Sequence, residues 1–217
     1  MNFLSKKPVI ILIALISLIA GALFSQKFKS PDTVALTQSQ TGIRGMLWPN
    51  PKTMTEFELT DQDNQPFKLN NLKGQWSMMF FGYTHCPDVC PTTMALLNSI
   101  VKEIPPERQP EIIFVSVDPD RDTHEKLKDY ITYFNSDFKG ITGTEQNLAV
   151  LTKQLGILTQ KIPDQNSADG SDYIMDHSAA ILLFNPNAKM IGIFSSPHDK
   201  ADIKNRYLAI RDFVEKQ

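Results

Sequence analysis

Both cysteines of the chain, Cys86 and Cys90, lie in one segment, FFGYTHCPDVCPTTM (Phe80–Met94). A proline follows each of them, and a proline disfavours the helical conformation in the residue before it. The spacing therefore predicts a turn that ends at Cys90, with Pro91 at the first position of a helix, where its missing N–H costs no hydrogen bond. Cys90 would then lie at a helix N-terminus, whose dipole favours the thiolate over the thiol. A thiolate is both a nucleophile and a metal ligand, so this segment could support either thiol–disulfide exchange or metal binding.

A disulfide that serves only as a structural cross-link is the alternative to a functional pair. In the chain-entropy model, a loop this small would stabilise the fold by only about 2 kcal/mol. A chain of 217 residues can bury a substantial hydrophobic core without that help. The pair is also predicted to lie between a strand and a helix, a position that a cross-link does not require. A functional pair is therefore favoured.

Two thiolates and one imidazole would make a three-coordinate metal site, so each of the four histidines is a candidate for the third ligand. His85 is next to the first cysteine, but adjacent side chains point in different directions, which favours a supporting or surface role. His124 would open a surface helix and His198 lies in a loop near the C-terminus, so both are predicted to be solvated. His177 differs, because it lies where a long polar stretch (residues 163–172) meets a buried strand.

The predicted ligand set is therefore Cys86, Cys90 and His177. Thiolate ligands select Cu(I) or zinc over hard cations. A closed structural zinc site takes four ligands, and three are available here, so copper is the favoured metal.

Strands and helices are predicted to alternate along the rest of the chain. Continuous apolar runs indicate buried strands, and apolar residues at helical spacing indicate helices. The predicted strands are Glu56–Leu59, Pro66–Leu69, Trp76–Tyr83, Ile112–Val117, Ala179–Phe184 and Met190–Phe194. The predicted helices are Thr92–Ile104, Thr123–Phe134, Glu145–Leu155 (with Gly156 as its C-terminal cap) and Asp199–Val214. This order predicts an α/β, thioredoxin-like domain, in which ligands bind beyond the carboxyl ends of the strands, where the cysteine segment lies.

The N-terminal region predicts a single transmembrane anchor. An uncharged apolar run, VIILIALISLIAGALF, follows Lys6 and Lys7 and precedes Lys27. With one tolerated residue at each end it covers residues 8–25, and about 17 to 20 residues are needed to span a bilayer. A cleaved signal peptide is the alternative, because AGA at residues 20–22 resembles a cleavage site. Either interpretation places the domain outside the cytoplasm, and the lack of an Arg-rich transit segment favours the periplasmic side of a bacterial inner membrane.

The predicted organisation has four parts. Residues 1–7 would be cytoplasmic, residues 8–25 the anchor, residues 26–54 a tether without periodicity, and residues 55–217 the copper-binding domain. The net charge is −2 at pH 7; the first 29 residues carry four lysines and no acidic residue, so the remainder carries −6. That balance argues against nucleic-acid binding, which needs clustered lysine and arginine.

Three separated motifs carry a resemblance to a known family: GYTHCPDVCP (Gly82–Pro91), VSVDPDRDT (Val115–Thr123) and DYIMDHSA (Asp172–Ala179). From about Leu47 to the C-terminus, the sequence resembles the Sco/SenC family. These are membrane-anchored proteins with a thioredoxin-like fold that serve assembly of the copper centre in cytochrome c oxidase.

The resemblance implies a ligand set and a partner. Copper, as Cu(I) or Cu(II), would be bound by Cys86, Cys90 and His177, and the two cysteines could cycle between dithiol and disulfide. The partner would be the copper-receiving subunit of the oxidase, whereas the resemblance does not identify the copper donor. The sequence departs from the family pattern at Met175, where a β-branched residue is common, and at Tyr83, where phenylalanine often stands.

Neighbouring residues could support the ligands. Asp118 ends a buried strand at the same sheet edge as the cysteines and is a candidate for a position near the metal. Asp176 could orient the histidine through its second ring nitrogen, although two ordinary loop aspartates are an equal alternative. Asp122 precedes a helix and resembles an N-cap, and Arg121 could pair with a carboxylate. Met175 could offer a thioether to the metal, but core packing is favoured.

Three functions are compatible with this sequence. The favoured one is a metallochaperone for the CuA centre of cytochrome c oxidase, a metal carrier and not a turnover enzyme. The alternative is a thiol–disulfide oxidoreductase that keeps the copper-site cysteines of the apo-oxidase reduced, with Cys86 and Cys90 as its catalytic residues. A peroxidase is the third, because Val89–Thr92 resembles the peroxidatic segment of peroxiredoxins. The chain, however, has no distant second cysteine to resolve that intermediate.

Overall fold

The computed structural model describes residues 47–163 and 172–216, with side chains described from residue 51 onwards. The predicted anchor and most of the predicted tether lie outside these ranges. Among the helices within them, none is both long and apolar enough to cross a membrane.

Strands and helices alternate within the described ranges, which confirms the α/β class. The strands are β1 (Leu47–Thr53), β2 (Glu58–Asp61), β3 (Pro66–Lys68), β4 (Ser77–Gly82), β5 (Glu111–Ser116), β6 (Lys139–Thr142), β7 (Thr159–Pro163), β8 (Tyr173–His177), β9 (Ile181–Phe184) and β10 (Lys189–Phe194). The α-helices are α1 (Val89–Val101), α2 (His124–Phe134), α3 (Glu145–Leu155) and α4 (Lys200–Val214).

Eight of the described strands form one sheet in the order β1-β10-β9-β4-β5-β6-β2-β3. The central strands β4, β5 and β6 are parallel, and antiparallel strands flank them on both sides. Every residue of β4 is buried, as its continuous apolar run predicted. Gly82 at the end of β4 pairs with Ser116 at the end of β5. The loops that follow these two strands therefore leave the sheet side by side.

The helices pack on this sheet through the apolar positions of their periodic patterns. Helix α1 buries Cys90 together with Met94, Leu97 and Ile100. Helix α3 ends at Gly156, whose φ of 71° lies in the left-handed region, and this confirms the predicted glycine cap.

Strands β7 and β8 form a separate two-stranded sheet, the β7–β8 hairpin. Every residue of β7 is exposed, whereas β8 alternates, so that Tyr173, Met175 and His177 face the protein while Ile174 and Asp176 face solvent. Two strands alone are marginally stable in water. The position of the hairpin must therefore depend on contacts with the rest of the domain.

The sequence prediction missed β6, β7 and β8, and several boundaries differ; two of these affect the start of the domain and the cysteine segment. Residues 47–53, predicted as the end of the tether, form β1, which pairs antiparallel with β10. The prolines at positions 49 and 51 suggested a loop, but β1 is an edge strand, where proline is tolerated because one side of the ladder faces solvent. Helix α1 begins at Val89, so Cys90 is already helical and does not end a turn. A proline fits there because the first N–H groups of a helix have no intrahelical acceptor.

Candidate metal centre

The cysteine loop (residues 83–88) connects β4 to α1 and sets the positions of both sulfurs. The amide of Cys86 donates a hydrogen bond to the carbonyl of Tyr83 at 3.2 Å. The amide of Cys90, in the first turn of α1, donates to Sγ of Cys86 at 3.4 Å. Cys90 is completely buried and Cys86 is half-buried, and both are free thiols. The N-terminal turn of α1, which carries Cys90, thus also holds the sulfur of Cys86.

Asp122 ties the cysteine loop to the end of β5. Its buried carboxylate accepts hydrogen bonds from the amide and the hydroxyl of Thr84, at 2.8 and 2.6 Å, and from the hydroxyl of Ser116. The prediction that Asp122 caps the following helix was wrong, because Thr123 caps α2 by accepting from the amide of Lys126. An aspartate and a threonine before a helix are both good caps. Only the fold shows which of the two faces the cysteine loop.

His177 ends β8 and faces the cysteines. Its Nε2 lies 3.4 Å from Sγ of Cys90, and its Nδ1 lies 3.3 Å from the carbonyl oxygen of Ser178. The rings of Phe80 and Tyr83 meet the imidazole edge-on, with centroids 6.3 and 5.9 Å away. Asp176 is exposed on the opposite face of the strand, so the backbone carbonyl of Ser178, and not this carboxylate, contacts the second ring nitrogen.

The structure brings the three predicted ligands together. The sulfurs of Cys86 and Cys90 and a ring nitrogen of His177 all lie within 4.8 Å of one another. Two sulfurs and one imidazole nitrogen are soft to intermediate donors, and this set fits copper better than hard cations. Gly82 makes this arrangement possible, because a Cβ at that position would lie 2.8 Å from Sγ of Cys90.

Asp118 follows β5 by two residues, and its carboxylate binds the strand that carries the histidine. It is fully buried, and its two oxygens accept from Nε of Arg121 at 2.5 Å and from the hydroxyl of Tyr173 at 2.6 Å. The predicted pairing of Arg121 with a carboxylate is therefore confirmed. Tyr173 begins β8, so Asp118 contacts the strand of His177 through this tyrosine.

Comparison with known proteins identifies the family. A family model described as SCO1/SenC matches residues 47–210. This chain belongs to the SCO1/SenC family. A putative copper-binding protein of Stutzerimonas stutzeri is 35% identical over 154 residues, which cover 70% of this chain and 74% of that relative.

Two solved Sco structures with copper bound resemble the chain closely. That of Arabidopsis thaliana ScoI has a TM-score of 0.68 at 27% identity and covers 73% of this chain and 98% of its own. Yeast Sco1 has a TM-score of 0.66 at 27% identity, covering 77% and 91% of the two chains. The likeness to these Sco structures confirms the predicted thioredoxin-like fold.

The two thiols of this Sco-family site differ in acidity. A hydrogen bond from the thiol of Cys90 lowers the pKa of Cys86 to about 4, and a hydrogen bond from His177 acts in the same direction. The same hydrogen bond between the two cysteines raises the pKa of Cys90, and burial raises it further. The helix dipole had predicted the thiolate at Cys90. The structure instead favours the thiolate at Cys86, because Cys90 is buried and acts as the hydrogen-bond donor.

The other histidines do not join the cluster, and two of them are less solvated than predicted. His85 lies beside Thr84, with Nδ1 3.2 Å from its hydroxyl. His198 is half-buried and donates from Nε2 to the carbonyl of Ala179 at 2.8 Å, and burial lowers its pKa. His124 is also half-buried, with Nε2 3.5 Å from the hydroxyl of Thr60. Met175 is buried in the hydrophobic core, which supports packing over metal ligation.

Proposed function

We propose that this chain is a copper metallochaperone that holds one copper ion between Cys86, Cys90 and His177 and delivers it to the CuA centre of cytochrome c oxidase. The observation that carries the proposal is the convergence of three donor atoms within 4.8 Å at the sheet edge. Membership of the SCO1/SenC family and the copper-bound ScoI and Sco1 structures support it.

The donor set also limits the metal. Thiolates favour Cu(I), and adding an imidazole allows the same site to accept Cu(II). Structural zinc is disfavoured, since a closed zinc site takes four protein ligands and the described ranges contain a cluster of three.

A copper titration tests this function. The wild type is expected to bind one copper per chain and to give a sulfur-to-Cu(II) charge-transfer band in the absorption spectrum. His177→Ala is expected to abolish tight binding, because it removes the only nitrogen donor of the cluster. His85→Ala is the matched control, since His85 is adjacent to Cys86 yet lies outside the cluster, and it should retain the band. Full affinity in His177→Ala would contradict the proposal.

Thiol–disulfide exchange is the second candidate function, and the proximity of the two free thiols favours it. The half-exposed sulfur of Cys86 would attack a disulfide of the target protein and form a mixed disulfide, releasing one target thiolate. The sulfur of Cys90 would then displace the second target thiolate and close the Cys86–Cys90 disulfide, so that two electrons pass to the target.

Complementation separates the two candidates. In a strain that lacks this protein, His177→Ala should fail to restore oxidase assembly if copper delivery is the function. Restored assembly with His177→Ala, but not with Cys86→Ser, would favour thiol–disulfide exchange, because that reaction needs only the sulfurs. The receiving partner in both cases would be the copper-binding subunit of the oxidase.

We also propose that residues 8–25 anchor the protein in a bacterial inner membrane, with the domain on the periplasmic side. The uncharged apolar run and the lysines before it support this arrangement. The full chain should fractionate with membranes, and protease added to spheroplasts should degrade the domain. A chain that lacks residues 1–29 is the control and should leave the membrane fraction. Protection of the full chain in intact spheroplasts would contradict the proposed orientation.

A further inference from the structure

The position of His177 depends on how the β7–β8 hairpin is attached to the domain. Both cysteines are placed by the eight-stranded sheet and α1, whereas the histidine belongs to a separate two-stranded sheet. Core packing of Met175 provides one attachment. Ring contacts of His177 with Phe80 and Tyr83 provide another. A polar attachment that includes the fully buried carboxylate of Asp118 involves Arg121.

Arg121 contacts the start of β8 in three ways. Its Nη1 donates to the backbone carbonyl of Tyr173 at 2.9 Å and to the carboxylate of Asp172 at 2.9 Å. Its guanidinium carbon lies 3.7 Å from the centroid of the Tyr173 ring, a close cation–π contact. Its Nε pairs with Asp118, which accepts from the Tyr173 hydroxyl as well. Arg121 therefore contacts the backbone carbonyl and the ring of Tyr173, and it contacts the hydroxyl of Tyr173 through Asp118.

A second tyrosine connects Arg121 to the imidazole from the side of the cysteine loop. The guanidinium carbon lies 5.6 Å from the ring centroid of Tyr83, at the start of that loop. The ring of Tyr83 in turn meets the imidazole of His177 edge-on, with the two centroids 5.9 Å apart. Arg121 thus lies between two aromatic residues, one that begins the strand of the histidine and one that contacts its ring.

We propose that Arg121 is a positioning residue for His177: through Tyr173, Asp118 and Tyr83, its guanidinium fixes the distance between the imidazole and the two sulfurs. Arg121 itself does not need to contact the metal. The geometry of the guanidinium matters more than its charge, because a planar fork can bond a carboxylate and a carbonyl while stacking on a ring, and an ammonium cannot. The expected effect on copper affinity rests on the proposed copper function. The positioning of His177 is a property of the metal-free protein.

Arg121→Lys is the test variant, because it keeps a positive charge beside the buried Asp118. Copper affinity, measured as Cu(I) competition with a chromophoric chelator, is expected to fall about 10- to 100-fold, the usual range for residues that support a ligand. In a His177→Ala background the same substitution is expected to change the residual affinity by less than about twofold, because its effect passes through the histidine. An equal loss in both backgrounds would overturn the proposal, since it would place the effect on the sulfurs or on the whole fold.

Hydrogen–deuterium exchange of the metal-free protein gives a readout that does not depend on copper. The amides of β8 are expected to exchange faster in Arg121→Lys, while those of β9 are unchanged. Unchanged exchange in β8 would overturn the positioning role. If the wild type binds no copper, the proposed function fails, and this exchange measurement still decides whether Arg121 positions the strand.

Arg206→Lys is the matched control. Arg206 also pairs with a carboxylate, that of Asp202 at 3.1 Å, and its guanidinium carbon lies 5.1 Å from the ring centroid of Phe194, but it belongs to α4. The Arg206→Lys variant should leave both the copper affinity and the amide exchange of β8 unchanged. Tyr173→Phe is a second variant in case Arg121→Lys does not fold. It removes only the hydroxyl contact with Asp118 and should shift both readouts in the same direction by a smaller factor.

Discussion

At the scale of single residues, the lack of a side chain at Gly82 allows Phe114 and the sulfur of Cys90 to pack close to the backbone. A Cβ on Gly82 would lie 2.7 Å from Cε2 of Phe114 and 2.8 Å from Sγ of Cys90. Gly82→Ala is therefore expected to lower the free energy of unfolding by about 1 to 3 kcal/mol through overpacking. It should also weaken copper binding, because the sulfur must move. Urea denaturation and a copper titration measure the two effects.

Gly140→Ala is the control for this prediction. Its added Cβ would lie 2.7 Å from Cγ1 of Ile131 and 2.8 Å from Cγ of Leu127, so the crowding is similar but involves other side chains. It should lower stability by a comparable amount and leave the copper spectrum unchanged. If Gly82→Ala also left the spectrum unchanged, the close approach at position 82 would not matter for the site.

The acidity of Cys86 predicts its alkylation behaviour in the metal-free protein. Because its pKa is lowered to about 4, Cys86 is a thiolate above that pH, and its reactive fraction is lost only as the pH falls through about 4. The rate of iodoacetamide labelling, followed by mass spectrometry, should therefore be nearly constant between about pH 6 and 8. Cys90→Ala removes the thiol hydrogen bond that is the largest cause of the shift. Its labelling rate should rise with pH across that interval, and a flat profile in this variant would contradict the assigned cause.

Residue types alone predicted the three side chains that the structure brings together, and a carboxylate partner for Arg121, but not the contacts of Asp122 and Tyr173. Two cysteines and a histidine are rare side chains with few roles, so their presence at predicted strand ends was informative. Asp122, Arg121 and Tyr173 act through distances that only the fold creates. An aspartate before a helix is a typical N-cap. The sequence did not show that Asp122 binds the cysteine loop while Thr123 caps α2.

At the scale of elements, Asp122 joins the cysteine loop to β5. Asp122→Ala would leave the amide and hydroxyl of Thr84 and the hydroxyl of Ser116 without their acceptor. The free energy of unfolding should fall by about 2 to 4 kcal/mol, and the cysteine loop should exchange its amides faster. Asp137→Ala, which removes an exposed carboxylate, should change stability by less than about 0.5 kcal/mol. Equal stabilities of the two variants in urea would contradict this role.

The long buried strands of the central sheet were predictable, whereas the four-residue strand β6 and the β7–β8 hairpin were not. Strands β4 and β5 are continuous apolar runs that only a sheet covered on both faces accommodates. Strand β7 carries polar and apolar residues that are all exposed, so it has no pattern that separates it from a loop. Its partner β8 shows alternation over five residues, which is too short to locate without knowing what it packs against.

At the scale of the whole molecule, β1 completes one edge of the sheet. A chain that begins at residue 55 would lose β1 and expose the hydrogen-bonding groups of β10. Compared with a chain that begins at residue 42, it should be less stable by about 2 kcal/mol or more in urea denaturation, from the lost ladder bonds. Copper stoichiometry should stay the same, because β10 and β9 separate β1 from β4. Equal stability of the two chains would show that this pairing contributes little.

The overall architecture was predictable because the order of buried runs and amphipathic segments admits few topologies. The start of the domain was not, since prolines that suggest a tether are also acceptable in an edge strand. The charge and the apolar run near the N-terminus led to predictions about location that concern residues outside the described ranges.

The unequal exposure of the two sulfurs has a consequence for transfer. Cys90 has no exposed surface, whereas Cys86 remains partly open to solvent. If the chain carries copper as proposed, an acceptor could reach the ion only beside Cys86 or His177, the two partly exposed members of the cluster. The buried sulfur of Cys90 would then be the last donor atom to release the ion.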